Sequence, residues 1–523
     1  MPAWLRPGGD SLVSLAEAAR RRKFRRRLPI PEVIETAEIE IPMVSKRLQL
    51  LPGRKTKMWT YNGTFPGPTI RRPAGEPTEV TFTHQLGVKA GELSVHLHGG
   101  HTPSDDDGQP GPFSAAQRSF YCNFDGSPPP APADDVLIAP GETRSYLYPG
   151  IESSEEPDGP ERGAFQWYHD HSCGNTARNI WRGLAGMWIT DEPDVEGPLG
   201  LPTGAHDLPL MIADRAFDKR NQLRDPFDPP GKPPFDQVTG NHILVNGAIT
   251  PHANVAPQRS RLRLLNASNF RSYNLRLDGD AEMIQIAAES GLMPEAIRRG
   301  RILIGPGERV EVVVDFASAR GRKVRLASVK RPGPEGKLVG SKPYIGDLME
   351  FRVGATPVAD DPSEAIADGQ ALRPLPAWTL ALNPATSQPT FTWEISVSGG
   401  LRPAWLINGR TYKPDFVDAA ARPALGEVVV WRLRNKTKVA HLLHLHHTDW
   451  YLLRRKRKGQ PETAAPAHER CLKDTFFLDP GEEAVVAGRV SDYTGKYIVH
   501  CHMLDHEDHG LMSQFEVVAA PNP

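Results

Sequence analysis

The most informative part of this 523-residue chain is Tyr497-Ile498-Val499-His500-Cys501-His502-Met503-Leu504-Asp505-His506. Its apolar run leads into His-Cys-His, a pattern that predicts the end of a buried β-strand. Side chains alternate faces along a strand, so the two histidines point to one side and Cys501 to the other. His506 follows closely enough to return to Cys501. One cysteine and two histidines with a weak axial ligand are typical of a blue-copper site, and the alternative is a buried thiol flanked by surface histidines.

Length and composition favour a multi-domain, all-β protein. A chain of 523 residues exceeds what one hydrophobic core supports, so several domains are expected. The 51 prolines and 47 glycines favour turns over long helices. A formal net charge of -1 gives no bulk attraction to nucleic acid or to an anionic membrane. The chain has no apolar run of about 18 residues, so we expect no transmembrane segment.

The cysteines and the basic N-terminal segment carry weaker signals. Cys122, Cys173, Cys471 and Cys501 are too few for a disulfide framework, and if Cys501 binds metal an odd three remain, so at least one thiol is unpaired. The basic run Arg20–Arg27 is not followed by an apolar segment, so no signal peptide is recognised. Residues 1–29 are therefore predicted to form a basic, solvated or partner-binding extension.

A weak internal repeat divides the remainder into three units. Each unit begins at an Asn-Gly turn signal and later reaches a Pro-Gly-Glu turn followed by a β-patterned run. The pairs are Asn62-Gly63 with Pro140-Gly141-Glu142, Asn246-Gly247 with Pro306-Gly307-Glu308, and Asn408-Gly409 with Pro480-Gly481-Glu482. Three β-sandwich domains over residues 30–195, 204–355 and 376–523 are the simplest interpretation.

The histidines occur in pairs rather than singly. Four His-x-His pairs each place two imidazoles on one strand face, which gives eight convergent ligands. The pairs are His96/His98, His169/His171, His444/His446 and His500/His502, with His441 and His506 left to join Cys501. Zinc in a closed site needs only four ligands, whereas imidazoles with one thiolate suit copper. Because the pairs fall in the first and third units, we expect these units to meet around a metal cluster, with the second as spacer.

These motifs resemble those of a known family. HLHG at 96–99, WYHDH at 167–171, HLLHLH at 441–446 and HCHMLDHEDHGLM at 500–512 are similar to the four copper-binding motifs of three-domain multicopper oxidases. The first motif is most similar to the bacterial spore-coat laccase group, which includes bilirubin oxidase and phenoxazinone synthase relatives. The resemblance implies three cupredoxin-like Greek-key β-sandwich domains and four copper ions per chain, one of type 1, one of type 2 and two of type 3.

The same resemblance implies a role for each ligand. His441, Cys501 and His506 would hold the type 1 copper, and His96 and His444 the type 2 copper. The type 3 pair would take the remaining six histidines, which are His98, His169, His171, His446, His500 and His502. Cys501 would then pass electrons along the backbone to its two neighbours.

Four further positions complete the predicted site. Asp107 and Glu507 match acidic positions that the family uses near the trinuclear copper centre, so we expect both to relay protons; for Asp107 the alternative is a solvated acidic turn. The axial type 1 position is predicted to be Leu511, which cannot ligate, and the alternative register places Met512 there. Leu442 stands where the family usually has proline.

The resemblance implies a laccase: one-electron oxidation of phenols or aromatic amines, coupled to reduction of dioxygen to water. The alternatives are a metallo-oxidase for cuprous or ferrous ions, bilirubin-oxidase-like activity, and a cupredoxin electron carrier without oxygen chemistry. The 10 methionines form no cluster, which disfavours the metallo-oxidase. We expect a monomer with a small aromatic donor and dioxygen as its partners. The expected location is cytoplasmic by default, with envelope or spore-surface association as the alternative.

Overall fold

The computed structural model describes residues 23–111, 136–150, 162–224, 226–227, 238–279, 281–331, 344–358, 361, 363, 366–399 and 404–521. Cys122 and residues 20–22 of the basic segment lie outside these ranges. The predicted all-β class is confirmed. The helices in the described ranges are short: α1 (Thr176–Arg182), α2 (Pro193–Glu196), α3 (Ala377–Leu380) and α4 (Leu504–Asp508). None of the helices within the described ranges is both long and apolar enough to cross a membrane.

The first unit is a sandwich of two sheets. Its strands are β1 (Val33–Ile34), β2 (Glu38–Leu48), β3 (Thr56–Tyr61), β4 (Thr69–Pro73), β5 (Thr78–Gln85), β6 (Val95–His98), β7 (Thr143–Tyr148), β8 (Ala164–Asp170) and β9 (Ala185–Asp191). One sheet has the order β1-β4-β9-β8-β6 and the other β3-β2-β5-β7. Ile41, Val80 and Tyr146 are among the side chains of the core between them.

The second unit repeats the sandwich without histidine pairs. Its strands are β10 (Asp207–Arg215), β11 (His242–Val245), β12 (Ala248–Ile249), β13 (His252–Val255), β14 (Arg259–Asn266), β15 (Tyr273–Leu277), β16 (Met283–Ala288), β17 (Gly291–Arg299), β18 (Ile302–Ile304), β19 (Arg309–Asp315), β20 (Lys323–Ser328) and β21 (Gly346–Val353). The sheet orders are β12-β11-β10-β14-β19-β16-β17 and β13-β21-β20-β15-β18.

The third unit contains Tyr497–His506, the stretch with the His-Cys-His motif. Its strands are β22 (Phe391–Val397), β23 (Trp405–Ile407), β24 (Val428–Asn435), β25 (His441–Leu445), β26 (Trp450–Lys456), β27 (Glu462–Ala464), β28 (Leu472–Lys473), β29 (Thr475–Leu478), β30 (Glu483–Arg489), β31 (Gly495–Cys501) and β32 (Met512–Val517). One sheet has the order β23-β22-β24-β30-β26-β27, with β28 on β26, and the other β29-β25-β31-β32.

The sequence repeat corresponds to a structural repeat. At each of the three Asn-Gly pairs, both residues have positive φ, as a tight type I′ hairpin turn requires. Strand pairing repeats as well, because β2 and β5, β10 and β14, and β22 and β24 all pair in parallel. All these strands fall inside the predicted ranges 30–195, 204–355 and 376–523; the domain boundaries themselves stay predictions.

The N-terminal segment differs from the predicted solvated extension where it is described. Phe24 and Leu28 are buried, and Leu28 lies in the core of the second unit. The Leu28 N–H donates to the His252 carbonyl at 2.7 Å, and Arg27 forms an isolated bridge with the same residue. The apolar side chains of this basic segment explain the difference, because Leu28 packs in one core with Ala253 and Val255 of β13 and Phe24 is buried as well.

A second apolar cluster joins all three units. It includes Phe165 and Met187 of the first unit, Met211 and Leu265 of the second, and Leu504 of the third. Because residues of all three units share one core, the units form a single packed body around the histidines.

Candidate metal centre

Strand β31 separates the histidines from the cysteine, as the alternation predicts. In the β25–β31 pair His444 lies opposite His500, whereas Leu443 lies opposite Cys501. Directly paired residues project to the same face of a sheet. One face of this pair therefore carries imidazoles, and the other carries the thiol.

The first and third units meet through stacked imidazole rings. His98 and His444 stack with ring centroids 3.7 Å apart, and His96 and His446 with centroids 4.0 Å apart. On the first unit, His96 also pairs with His169 across β6 and β8. The expected meeting of the two units around the histidine pairs is therefore what the structure shows.

The buried histidines divide into groups whose ligand atoms lie within 4.8 Å of one another. His98, His169 and His502 form one group, and His171, His446 and His500 form another. His96 and His444, the expected type 2 ligands, lie together with His98. The six histidines expected to hold the type 3 pair therefore fall into two groups of three.

The hydrogen bonding of the rings fits a metal cluster. Four histidines each direct Nδ1 at an oxygen atom 2.7–2.9 Å away. Their Nε2 atoms are buried and have no hydrogen-bond partner among the described residues. Buried polar atoms are normally satisfied, and a metal-binding histidine typically uses its second nitrogen to bond an outer oxygen. The four are His96, His169, His444 and His446.

Burial favours the neutral form of several of these histidines, which is the form that binds metal. Desolvation lowers the pKa of His98, His169 and His502 well below the ordinary value, and neighbouring imidazoles lower it further. Burial likewise lowers the pKa of His444 to about 4. These four residues are neutral nitrogen donors in a water-poor interior.

The thiol face forms a separate, smaller site. Cys501 Sγ lies 3.5 Å from His441 Nδ1 and 3.7 Å from His506 Nδ1, and the two nitrogens are 3.2 Å apart. All three side chains are buried. Burial raises the pKa of Cys501 to about 12, so a thiolate there needs a cation beside it. One sulfur and two imidazole nitrogens fit the donor set of a blue-copper site.

The two axial candidates, Leu511 and Met512, lie on opposite sides of β31. The Leu511 carbonyl accepts the Cys501 N–H at 3.0 Å, and both residues belong to one apolar cluster. Met512 pairs with His500 across β31 and β32, so it faces away from the thiol. This geometry favours the predicted register, with Leu511 beside the Cys501 site.

Asp107 is buried and is not a solvated turn residue. Its Oδ2 accepts a hydrogen bond from His446 Nδ1 at 2.7 Å, and its backbone carbonyl accepts one from His96 Nδ1 at 2.7 Å. Thr102 Oγ1 donates to Oδ1 at 3.1 Å. Burial raises the pKa of Asp107, and His96 opposes that shift. One carboxyl residue thus orients an imidazole from each of two units.

Glu507 lies on α4, on the other side of the histidine cluster. Its Oε2 is 3.0 Å from His500 Nδ1, and its Oε1 is 3.9 Å from His171 Nε2. Neither oxygen has a well-aligned hydrogen-bond donor among the described residues. The carboxyl group is therefore buried against two histidines with free acceptor capacity.

The second unit is more than the predicted spacer. Arg309, at the start of β19, donates from its guanidinium to both oxygens of Asp474 at 2.8 and 2.6 Å. Asp474 in turn accepts from His98 Nε2 at 3.2 Å. Neither residue was predicted from the sequence, in which the only signal is that Arg309 follows the repeated Pro-Gly-Glu turn.

Gly307 of that turn also touches the cluster. It has a φ of +84°, and a Cβ placed on it would lie 2.7 Å from Cγ of the His502 ring. Phe270 of the second unit packs edge-on against His506 with centroids 5.4 Å apart. The middle unit therefore contacts both metal-binding faces.

Comparisons with known proteins agree with this geometry. Two family models, each described as multicopper oxidase, match residues 43–125 and 382–521. A laccase of Bacillus stratosphericus is 30% identical, over 95% of this chain and 99% of its own length. A bilirubin oxidase of Albifimbria verrucaria is 30% identical, over 88% of this chain and 73% of its own length. The crystal structure of the McoA multicopper oxidase from Aquifex aeolicus, 26% identical, superposes with a TM-score of 0.74 over 94% of this chain and 99% of that one. The expected cupredoxin-like architecture is confirmed.

Proposed function

Because this chain belongs to the multicopper oxidase family, we propose that it oxidises small phenols or aromatic amines by one electron at a time and reduces dioxygen to water. Enzymes of this family are copper-dependent oxidoreductases that hold four copper ions per chain. The proposal concerns the donor class and the residue roles.

One observation carries the proposal: Cys501 belongs to the small thiol site, while its chain neighbours His500 and His502 belong to two different histidine groups. Bound copper would supply one-electron redox chemistry at the thiol site and four-electron dioxygen chemistry at the histidine cluster. Cys501 then connects the two through adjacent peptide units, without any diffusing carrier. Splitting four-electron reduction into single-electron oxidations needs such a connection.

The ligand roles follow the groups. We assign His441, Cys501 and His506 to the type 1 ion, and His96 and His444 to the type 2 ion. The type 3 pair takes two triads, His98, His169 and His502, and His171, His446 and His500. Leu511 at the axial position offers no donor atom, so a type 1 copper would be held by His441, Cys501 and His506 alone, which would raise its potential.

Two buried carboxyl groups serve the proton side of the reaction. Four protons must reach the reduced oxygen atoms, and a relay group must lie within hydrogen-bond reach of the site. Asp107 contacts the centre from the His96 side and Glu507 from the His500 side. We assign both as proton relays, and Asp107 additionally positions the rings that it hydrogen-bonds.

Aromatic side chains pack around the imidazoles of the thiol site. The Trp405 ring lies 4.5 Å from the His506 ring and 4.9 Å from the His441 ring, measured between centroids. Phe270 approaches His506 from the second unit, and both aromatic side chains are buried. They hold the His506 ring in place, and a donor at the surface would pass its electron through that ring to a bound copper ion. The monomeric state and the cytoplasmic location expected from the sequence stay predictions.

The test is oxygen uptake by copper-loaded protein with 2,6-dimethoxyphenol, together with visible and EPR spectra. We expect a strong thiolate-to-copper band and one dioxygen consumed for every four donor molecules. A matched Cys501→Ser variant should lose both. A blue protein that consumes no oxygen with any aromatic donor would overturn the proposal and favour the electron-carrier alternative.

Bilirubin is the second candidate donor, because a relative named bilirubin oxidase is 30% identical over 88% of this chain. Oxygen uptake should therefore also be measured with bilirubin as donor. Cuprous and ferrous ions, tested in the same way, examine the metallo-oxidase alternative. The donor with the highest kcat/KM identifies the activity. A preference for a metal ion would contradict the aromatic assignment while leaving the ligand assignments intact.

A further inference from the structure

A narrow cavity leads from the proposed type 2 ligands towards the surface between the first and third units. The cavity volume is about 10 Å³, which is enough for about one water molecule. Its inner wall includes His96 and His444, and its outer wall includes His101 and Asp449. Neither Asp107 nor Glu507 lines it, so the cavity is separate from the two relays assigned above.

At the outer end His101 is held between two carboxylates. Its Nδ1 lies 2.7 Å from Asp492 Oδ2, and its Nε2 lies 3.3 Å from Asp449 Oδ1. The side chains of His101 and Asp449 are each 16% exposed, which leaves them in contact with water. His101 also lines a second pocket, on the outside of the first unit, and so faces both solvent and the cavity.

The two carboxylates keep this imidazole charged. Burial alone lowers the pKa of His101, but Asp492 and Asp449 raise it well above the ordinary value. The charged imidazolium is therefore the favoured form of His101 between these two carboxylates. Other charged or titratable groups face the same region. They are Asp474 in the cavity wall, Arg72, Glu76 and Tyr148 in the outer pocket, Arg162 and Arg373 near Asp449, and His447 near Asp492.

We propose that His101, with its two carboxylate partners, delivers protons through this cavity to the side of the centre formed by His96 and His444. The inference rests on the proposed function, since dioxygen reduction to two waters takes four electrons from donor molecules and four protons from solvent. In each transfer His101 gives its Nε2 proton to water in the cavity on the Asp449 side. The neutral ring then regains one proton from solvent, so His101 is unchanged overall.

The test follows the reoxidation of fully reduced, copper-loaded protein by dioxygen in a stopped-flow instrument between neutral and alkaline pH. Because the two carboxylates favour the charged ring, reoxidation of the wild type should persist to higher pH than reoxidation of a variant without His101. His101→Gln should slow alkaline reoxidation by about 10²-fold, the lower end for a positioned proton donor. Anaerobic reduction of the type 1 copper should be unchanged, and His242→Gln should behave as wild type throughout.

A second measurement follows the protonation of the His101 ring directly. In the fully reduced protein, which is diamagnetic, NMR of labelled histidine should show one ring that titrates above the ordinary range and disappears in His101→Gln. Asp449→Asn should move that titration, and the alkaline limb of reoxidation, to lower pH. Type 2 EPR intensity and copper content show whether a variant has merely lost its metal. If His101→Gln has lost copper, the pH profile of Asp449→Asn is the test of the proposal.

Two results would overturn the proposal: identical reoxidation profiles for wild type and His101→Gln, or an Asp449→Asn profile that does not move. A wrong donor assignment would give a different result, because no aromatic donor would then reduce the type 1 copper. Dithionite-reduced protein would still reveal the pH dependence of reoxidation.

Discussion

Arg309 and Asp474 form a two-pronged ion pair, 2.8 and 2.6 Å long, between the second and third units. Burial alone would raise the pKa of Asp474, but Arg309 lowers it well below the ordinary value. Asp474 also accepts a hydrogen bond from His98, so the Arg309 guanidinium positions that histidine indirectly, through the carboxylate.

Arg309→Met should therefore lower the free energy of unfolding by more than the loss of a surface ion pair would. It leaves a buried carboxylate uncompensated, and breaking such a pair typically costs about 3–5 kcal/mol. Chemical denaturation would measure the free energy of unfolding, and EPR the retained type 2 signal. Arg298→Met is the matched control, because the Arg298–Glu282 pair is half exposed and should contribute at most about 1 kcal/mol. Equal losses in both variants would contradict the role of Arg309.

Gly307→Ala should disturb the type 3 site specifically. The new methyl group would lie 2.7 Å from the His502 ring, so that ring must shift. We expect slower reoxidation by dioxygen with the type 1 band intact. Gly141→Ala is the control: it occupies the equivalent turn of the first unit with a φ of +95° and has no atom within 4 Å of the added Cβ. The same reoxidation defect in both variants would attribute the effect to backbone strain.

Leu511→Met should lower the type 1 potential. A thioether beside Cys501 adds a donor that stabilises the oxidised ion more than the reduced one. Redox titration of the blue band measures the change. Met512→Leu should leave that potential unaltered, because Met512 pairs with His500 on the opposite face. If Met512→Leu changed the potential and Leu511→Met did not, the alternative register would be correct.

Glu507→Gln should slow dioxygen reduction without weakening the fold. The amide preserves shape but cannot exchange a proton, and positioned acid–base groups typically contribute about 10²–10⁴-fold. Stopped-flow reoxidation would show the loss, while anaerobic reduction by the donor should proceed at the wild-type rate. A rate of reoxidation equal to that of wild type would remove Glu507 from the proton path.

The sequence predicted the parts of the site that depend on local pattern. Strand alternation around Cys501 separates the thiol from His500 and His502, and the Asn-Gly and Pro-Gly-Glu signals mark the repeat because both are local turn chemistry. Asp474 and Arg309 could not be found that way, since they meet across 165 residues of chain and neither lies in a histidine motif. Leu28 was missed for the opposite reason, because the charge around it concealed its apolar contact.

The stacked rings of His98 and His444 have a consequence for biosynthesis. The histidine cluster needs donors from the first unit, starting at His96, and from the third unit, up to His502. A nascent chain that lacks the third unit cannot assemble it. Metallation of this centre must therefore follow synthesis and docking of the third unit, and a frameshift between His446 and His500 would remove donors of the type 1 and type 3 ions together.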